Sequence, residues 1–278
     1  MREILFDQQV QILSNRFFLP GHCLMVLRAP LSYGSACPGQ FIMLILPGRS
    51  VPFLPRPFCI YGLAEEPECV RLEILYRVTG EGTDSLSRLH EGDKIGLLGP
   101  LGRGFDIDPA AQRVVLVAGG MGIAPLMRLA QAYRFLLRDK EFPIICYLGA
   151  AAESHLIGRD RMEALRADLR LSTDDGSTGH RGFITELFAQ DLPSYRDSNT
   201  MIYACGPLPM LKTLAHCMIG SGLSCQVSLE ERMACGVGAC LGCVVALSGE
   251  APGIRYGRVC TEGPVFSLSE IDWSVQDE

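Results

Sequence analysis

Several features that would assign the sequence to other classes of protein are scarce or missing. Basic residues are in no excess, because 25 Lys and Arg stand against 31 Asp and Glu and the formal net charge is −6. This balance gives no electrostatic reason to expect binding to nucleic acid. Low-complexity tracts are also missing, and a composition of 48% hydrophobic and 20% charged residues is typical of globular proteins.

Long hydrophobic runs are missing as well. The longest, residues 114–127, is interrupted by glycines and is too short to span a bilayer. No charged-then-apolar leader opens the sequence, so we expect a soluble, cytoplasmic protein without a membrane partner. Histidine is scarce, and the five histidines have no spacing typical of metal ligands.

Cysteine, by contrast, is abundant, with twelve residues in the chain. Four of them, Cys235, Cys240, Cys243 and Cys260, form the pattern C-x4-C-x2-C…C. This is the spacing of a plant-type [2Fe–2S] site, and it predicts a one-electron carrier. The glycines between these cysteines favour a tight loop, because they reach positive φ angles and let backbone N–H groups approach the sulfides.

Structural zinc is the main alternative for the four cysteines. Zinc sites usually pair two C-x2-C knuckles, whereas only Cys240 and Cys243 form such a knuckle here. A disulfide framework is disfavoured in a chain expected in the cytosol. The remaining cysteines are mostly predicted to be inert core residues, namely Cys23, Cys69, Cys146, Cys217 and Cys225.

The pattern of strands and helices changes along the chain. The first hundred residues read as short strands separated by Gly and Pro, which is typical of an antiparallel barrel. After Pro109, strands alternate with helices up to a final strand at residues 225–229, which predicts a doubly wound parallel sheet. We therefore predict a barrel domain at 1–107, an α/β domain at 108–225 and a small metal-organised lobe at 226–278.

Gly119, Gly120 and Gly122 lie where the first strand of the predicted parallel sheet meets its helix. Glycines there let a pyrophosphate approach the backbone, and the helix N-terminus supplies N–H donors. The pattern is not the G-x-G-x-x-G fingerprint, and a tight turn that needs glycine for geometry alone is the alternative.

Two further segments follow strands of this sheet. Cys205, Gly206 and Pro207 close the fourth strand, where doubly wound folds bind ligands, so the thiol could line a nicotinamide pocket; a plain helix start is the alternative. Asp174 and Asp175 follow the third strand, where carboxylates would repel a 2′-phosphate and favour NADH over NADPH. A solvated Asp-Gly turn would explain the same two residues.

The barrel half holds two candidate flavin contacts. Arg56, next to a proline on a predicted strand, can pair with a pyrophosphate. Gly82 and Thr83 can donate backbone and hydroxyl hydrogen bonds to phosphate oxygens. Each signal is weak by itself, because Arg-Pro dipeptides and glycine turns are common.

In this order, the motifs resemble those of the ferredoxin–NADP reductase superfamily. Residues 229–243 (LEERMACGVGACLGC) and 259–266 (VCTEGPVF) look very like the electron-transfer subunits of type B dihydroorotate dehydrogenases. The resemblance covers essentially the whole chain. It implies FAD, a [2Fe–2S] cluster held by the four cysteines, and NAD as cofactors. The implied flavin contacts are Arg56, Pro57, Phe58, Cys59, Leu75, Tyr76, Arg77, Gly82 and Thr83.

The resemblance also implies a role and a partner. Electrons would pass from an FMN-containing catalytic subunit through the cluster and FAD to NAD⁺, in a heterotetramer with two copies of each subunit, during pyrimidine biosynthesis. No acid–base pair for the orotate chemistry is visible, and Cys59 and Cys205 are only candidates for positions beside the flavin and the nicotinamide. The family usually has Ser where this chain has Cys59, which leaves the tuning of the flavin open.

The alternatives are a subunit of a ferredoxin–NADP oxidoreductase or sulfide dehydrogenase complex and a zinc-stabilised scaffold without enzymatic activity. In the first of these groups an aspartate can replace the first cluster cysteine. Cys235 occupies that position here, which favours the dihydroorotate interpretation.

Overall fold

The computed structural model describes residues 4–46, 48, 54–137, 142–196, 198–249 and 255–275. The residues group into two units. The first comprises Met1–Gly104, Glu230–Val244 and Arg258–Pro264, and the second comprises Phe105–Leu229, Val245–Gly257 and Val265–Glu278. The three-domain division stays a prediction: the change between the units after Gly104 lies near the predicted boundary at 107, whereas the residues after 225 are shared between both units.

The first unit is built on an antiparallel sheet. Its elements are β1 (Leu5–Leu19), β2 (His22–Ala29), β3 (Phe41–Ile45), β4 (Arg56–Cys59), β5 (Gly62–Glu65), β6 (Val70–Arg77), α1 (Glu81–Ser87) and β7 (Lys94–Leu101). The strands lie in the order β4-β3-β7-β1-β2-β6-β5. The sheet curls, because β4 at one edge also packs against β6 near the other edge. The predicted antiparallel barrel is confirmed in this curled form.

Alternating side chains fill the inside of the curled sheet. Ile12, Leu27 and Ile74 are fully buried there, as the period of two in a strand requires. A polar link fixes α1 to this core: the Asn15 side-chain amide donates to the carbonyl oxygens of Leu86 (2.8 Å) and Leu89 (2.9 Å). The short helix α1, which the sequence did not predict, is thereby held against the strands.

The second unit is built on a parallel sheet flanked by helices. Its elements begin with β8 (Arg113–Gly119), α2 (Ile123–Leu136), β9 (Ile144–Ala150), α3 (Arg159–Ala164), β10 (Asp168–Thr173), β11 (His180–Arg181) and α4 (Ile184–Asp191). They continue with β12 (Thr200–Cys205), α5 (Leu208–Met218), β13 (Ser224–Ser228), β14 (Val244–Leu247), β15 (Arg255–Arg258) and β16 (Val265–Ser267).

The order of the strands in this second sheet is β11-β10-β9-β8-β12-β13-β16. All neighbours are parallel except β16, which pairs antiparallel with β13. The chain moves outward from β8 to β11 on one side and then returns to place β12 on the other side. The predicted doubly wound sheet is therefore confirmed, and its topological switch point lies between β8 and β12, where such folds bind ligands. None of the described helices is long and apolar enough to cross a membrane.

Candidate functional site

The cysteine-rich segment between β13 and β14 is a loop that packs on the first unit. Gly236 and Gly238 have φ angles of +71° and +79°, in the left-handed region that favours glycine. A Cβ at Gly236 would lie 2.8 Å from the Cγ of Met43 on β3. The glycines therefore allow the sharp turns of the loop, as the sequence predicted. Gly236 also allows a close approach to the sheet, which the sequence did not predict.

Two of the four thiols form an outer pair. The backbone N–H groups of Val237 and Cys240 donate to the Sγ of Cys235 at 3.4 and 3.5 Å. Desolvation opposes ionisation of Cys235, but these N–H groups and the Cys240 side chain outweigh it and lower the pKa to about 6. Cys235 is therefore prepared to be a thiolate, which is the form that binds metal.

The other two thiols form a buried inner pair. The N–H of Cys260 donates to the Sγ of Cys243 at 3.4 Å, and the N–H of Gly238 donates to the Sγ of Cys260 at 3.1 Å. Burial and the neighbouring Cys243 thiol raise the pKa of Cys260 to about 12. The structure thus brings the distant Cys260 to the loop that carries the other three cysteines.

The donor set fits a [2Fe–2S] cluster. Within the described part of the chain, no three His, Cys, Asp or Glu side chains are grouped so that they could hold a metal ion. A [2Fe–2S] cluster makes a different demand, because each of its two irons takes only two protein ligands. Two pairs of thiols, each receiving backbone N–H donors at sulfur, meet that demand.

The candidate flavin residues lie on neighbouring elements of the first unit. The guanidinium of Arg56 covers Gly82 so closely that a Cβ at Gly82 would lie 2.7 Å from the Cζ of Arg56. The rings of Phe58 and Tyr76 are 5.7 Å apart between centroids. The structure therefore brings together the three segments predicted to contact the flavin, which lie on β4, at the end of β6 and at the start of α1.

Some of these candidates already use their polar groups within the protein. The Tyr76 hydroxyl donates to the Oδ1 of Asn15 at 2.9 Å, inside the core. The Thr83 hydroxyl accepts from the N–H groups of Thr79 (2.9 Å) and Gly80 (3.2 Å). Leu75 is buried and Arg77 is exposed. The candidate contacts are thus not equivalent. Arg56 also donates from its Nη1 to the carbonyl oxygen of Leu54 at 2.6 Å, but its positive charge makes it the clearest anion-binding group among them.

Cys59 has a charged neighbour that sequence reasoning missed. Burial, together with the negative charge of Glu230, raises the pKa of the Cys59 thiol to about 12. A neutral thiol can donate only a weak hydrogen bond. No sequence signal could have joined these two residues, because Cys59 ends β4 and Glu230 opens the cysteine loop.

Two loops meet at the switch point of the parallel sheet. Ala118 on β8 is paired with Cys205 on β12, so the turn after β8 and the Cys205-Gly206-Pro207 segment are adjacent. A Cβ at Gly122 would collide with the carbonyl oxygen of Cys205 and lie 2.7 Å from the nitrogen of Gly206. The glycines therefore serve packing between the loops as well as access to α2, whose N-terminus follows at once.

The acidic turn after β10 is tied to the loop after β9. The N–H groups of Asp174 and Asp175 donate to the carbonyl oxygens of Ala150 (3.1 Å) and Ala151 (3.2 Å). The Ser177 hydroxyl and N–H lower the pKa of Asp175. Sequence reasoning missed a third carboxylate, Glu153, which lies 3.4 Å from the Thr178 hydroxyl and is also paired with the Arg159 guanidinium at 3.4 Å.

Comparisons with known proteins match the two regions of the chain that contain the cysteine loop and the glycine-rich turn. Residues 230–272 match the family model described as the iron–sulfur cluster binding domain of dihydroorotate dehydrogenase B, and residues 116–216 match that of the oxidoreductase NAD-binding domain. The electron transfer subunit of dihydroorotate dehydrogenase B (NAD⁺) from Caldanaerobacter subterraneus subsp. tengcongensis is 40% identical over 84% of this chain and 86% of its own length. The chain belongs to this family.

Other members and a solved structure extend the match over nearly the whole chain. The family member from Desulforamulus reducens is 36% identical over 97% of this chain and 98% of its own length. A structure of an NADH-dependent reduced ferredoxin–NADP oxidoreductase is 28% identical, with a TM-score of 0.81, over 96% of this chain and 91% of that one. A ferredoxin NADP⁺ reductase from Neisseria gonorrhoeae shares the fold, with a TM-score of 0.62 at 20% identity over 80% of this chain and 93% of that one. The resemblance predicted from the motifs is confirmed, and the chain is an NAD-linked oxidoreductase subunit with an iron–sulfur domain.

Proposed function

We propose that this chain is the electron-transfer subunit of an NAD⁺-dependent dihydroorotate dehydrogenase, acting in pyrimidine (UMP) biosynthesis. A catalytic partner would oxidise dihydroorotate to orotate, and this chain would pass the released electrons through its cluster and FAD to NAD⁺. One observation carries the proposal: a single chain of this family has both two pairs of cysteines and a parallel sheet with a glycine-lined edge.

Cys235, Cys240, Cys243 and Cys260 would hold the [2Fe–2S] cluster. When bound, the cluster supplies one-electron chemistry and the flavin couples single electrons to hydride transfer. The protein contributes N–H donors at the cysteine sulfurs, which stabilise the negative charge of the reduced site.

Arg56 and Gly82 would hold the FAD pyrophosphate, supported by the other predicted contacts on β4 and β6. Because Gly82 has no Cβ, the guanidinium of Arg56 can lie over the Gly82 backbone. This contact fixes the direction in which the guanidinium points. The neutral Cys59 thiol would lie beside the flavin ring as a weak donor.

Gly119, Gly120 and Gly122 would receive the NAD pyrophosphate at the N-terminus of α2. The segment Cys205-Gly206-Pro207 would border the nicotinamide, on the β12 side of the switch point. Support comes from the direct contact between the two loops at the switch point of the second unit's own sheet, where such folds bind ligands.

The partner would be a catalytic subunit that contains FMN, with two copies of each chain in a cytoplasmic heterotetramer. The names of the relatives describe an electron transfer subunit of a dihydroorotate dehydrogenase, which supports a catalytic partner. Co-expression with that subunit, followed by a dihydroorotate–NAD⁺ assay, tests the proposal. A purified complex with flavin and iron but without dihydroorotate-dependent NAD⁺ reduction would refute it.

A second candidate is a subunit of a ferredoxin–NADP oxidoreductase complex. The 28% identical structure with a TM-score of 0.81 favours it as the runner-up. Reduced ferredoxin and dihydroorotate should be offered in turn to the same purified complex. NADPH- or NADH-linked turnover with ferredoxin alone would favour the second candidate.

The acidic loops are expected to select NADH over NADPH. Asp174, Asp175 and Glu153 place negative charge where a 2′-phosphate would bind, and like charges repel. Replacing all three with their amides should narrow the kcat/KM preference for NADH about tenfold, which corresponds to about 1.4 kcal/mol. Asp168→Asn, at the opposite end of β10, is the control and should leave the kcat/KM preference for NADH unchanged. An unchanged preference in the triple variant would make these residues a surface turn only.

The tip of the cysteine loop is expected to dock on the partner. Leu241 is 62% exposed and has a φ of +58°, an unfavourable backbone for leucine that is often kept for function. Leu241→Glu should retain flavin, cluster and NADH oxidation with an artificial acceptor, yet lose the complex, because a charge in a dry interface is costly. The control is Leu31→Glu, at a leucine of the same unit that is 53% exposed. Normal assembly of the Leu241 variant, measured by size-exclusion chromatography, would place docking elsewhere.

A further inference from the structure

Arg258 links the two segments that carry the cysteines. It is the last residue of β15, two positions before Cys260. Its Nη1 donates to the carbonyl oxygen of Gly238 at 3.3 Å, in the loop of the other three cysteines. Its Nε and its backbone N–H both donate to the Oε1 of Glu262 at 3.2 Å. The side chain is therefore oriented by Glu262 and braces the loop.

Gly238 is held from two directions. Its carbonyl accepts from Arg258, while its N–H donates to the Sγ of Cys260 at 3.1 Å. Its φ of +79° requires glycine, and a Cβ would lie only 3.2 Å from the Nη1 of Arg258. The position of the Gly238 N–H therefore depends on Arg258, which holds the carbonyl group of the same glycine.

The turn that carries Cys260 does not need the Arg258 side chain. The Arg258 carbonyl accepts from the N–H groups of Thr261 (3.1 Å), Glu262 (2.8 Å) and Gly263 (3.3 Å). These backbone bonds remain when the side chain is changed. A substitution at Arg258 therefore acts mainly on the loop contact at Gly238.

Hydrogen bonds to cysteine sulfur raise the potential of an iron–sulfur site, because they stabilise the more negative, reduced state. We propose that Arg258 is a positioning residue that sets the reduction potential of the cluster by holding Gly238, whose N–H donates to Cys260. The inference rests on the proposed cluster ligands. The charge of Arg258 is balanced by Glu262, so the donated bond and not the net charge carries the effect.

Two substitutions separate the bond from the charge. Arg258→Met removes both the charge and the donor, whereas Glu262→Gln changes the charge beside Arg258 but keeps the Arg258 donor for the Gly238 carbonyl and a side-chain oxygen that accepts from Arg258. Each variant is purified in the full complex, and its cluster is titrated anaerobically by visible absorbance and by the EPR signal of the reduced form. Arg255→Ala, which removes a positive charge from the same strand, is the control.

The Arg258→Met variant should titrate at a more negative potential with an altered EPR signal, while the Glu262→Gln variant and the control should stay close to the wild type. Loss of iron from the Arg258→Met variant alone would also support the role of Arg258 in holding the cysteine loop. Shifts of equal size and opposite direction in the Arg258→Met and Glu262→Gln variants would assign the effect to charge and overturn the inference, as would no shift in either variant or loss of iron from both. A wild-type protein without a cluster would instead refute the proposed function.

Discussion

Replacing Cys240 by alanine is expected to abolish the iron–sulfur absorbance of the protein and to remove most of its iron. Cys240 supplies one thiol of the outer pair, and its N–H also donates to the Sγ of Cys235. Without its side chain, one iron would retain a single protein ligand. Because metal binding is coupled to the folding of such a loop, the loop should also become sensitive to proteolysis.

The rest of the protein should tolerate this change. Cys240 is exposed, so its truncation leaves no cavity in a core. Flavin absorbance and NADH-dependent reduction of an artificial acceptor should therefore persist, while transfer to or from the partner is lost. Cys37→Ala, a partly exposed cysteine of the same unit outside the loop, should keep its iron. A full iron complement in the Cys240 variant would contradict the ligand assignment.

The parallel sheet could be predicted because its signal is local. The sequence places the close of the fourth strand at Cys205, and β12 (Thr200–Cys205) ends at that residue. Its neighbour β8 has fully buried residues on both faces, including Val115 and Leu116. Strands covered by helices on both sides read as apolar runs, so alternation is not needed to recognise them.

Helix α1 could not be recognised in the same way. Gly80 and Gly82 disfavour a helix, and the sequence suggested a glycine turn at this point. The Thr83 hydroxyl accepts backbone N–H groups at the start of the helix, and Asn15 binds carbonyls at its end. Long-range contacts of this kind override local propensity, and they are invisible in one sequence.

The C-terminal segment shows a further limit of local patterns. The sequence predicts the strand at 225–229 as the last of the parallel sheet, whereas the sheet has one more strand, β16, at its edge. β16 has only three residues and is stabilised by pairing with β13, so its own sequence carries little signal. The three-residue β16 also adds an antiparallel edge to a sheet that was predicted as parallel throughout.

The same difference between local patterns and long-range contacts applies to the candidate site. Three cluster ligands fall within one loop, and their spacing was enough to predict them. The guanidinium of Arg56 over Gly82, the charge of Glu230 beside Cys59 and the brace from Arg258 to Gly238 all join distant segments. These contacts orient the side chains of the candidate site, and they depend on the fold.

Replacing Gly122 by alanine is expected to disrupt the NAD edge of the parallel sheet. The new Cβ would collide with the carbonyl oxygen of Cys205 and approach the nitrogen of Gly206 at 2.7 Å. Backbone atoms of a strand end cannot rotate away as a side chain can, so the two loops must separate. Overpacking of this kind costs on the order of 3 kcal/mol. We expect a lower thermal midpoint and a KM for NADH raised at least about tenfold, since a factor of ten needs only about 1.4 kcal/mol.

The matched control for Gly122→Ala is Gly249→Ala, in the same unit, where a new Cβ would meet nothing within 4 Å. It should leave both the thermal midpoint and the rate of flavin reduction by NADH unchanged. The iron content of both variants should equal that of the wild type, because the cysteine loop belongs to the first unit. A Gly122 variant with a normal KM for NADH would mean that the contact between the two loops is dispensable, and that the glycines serve only the turn into α2.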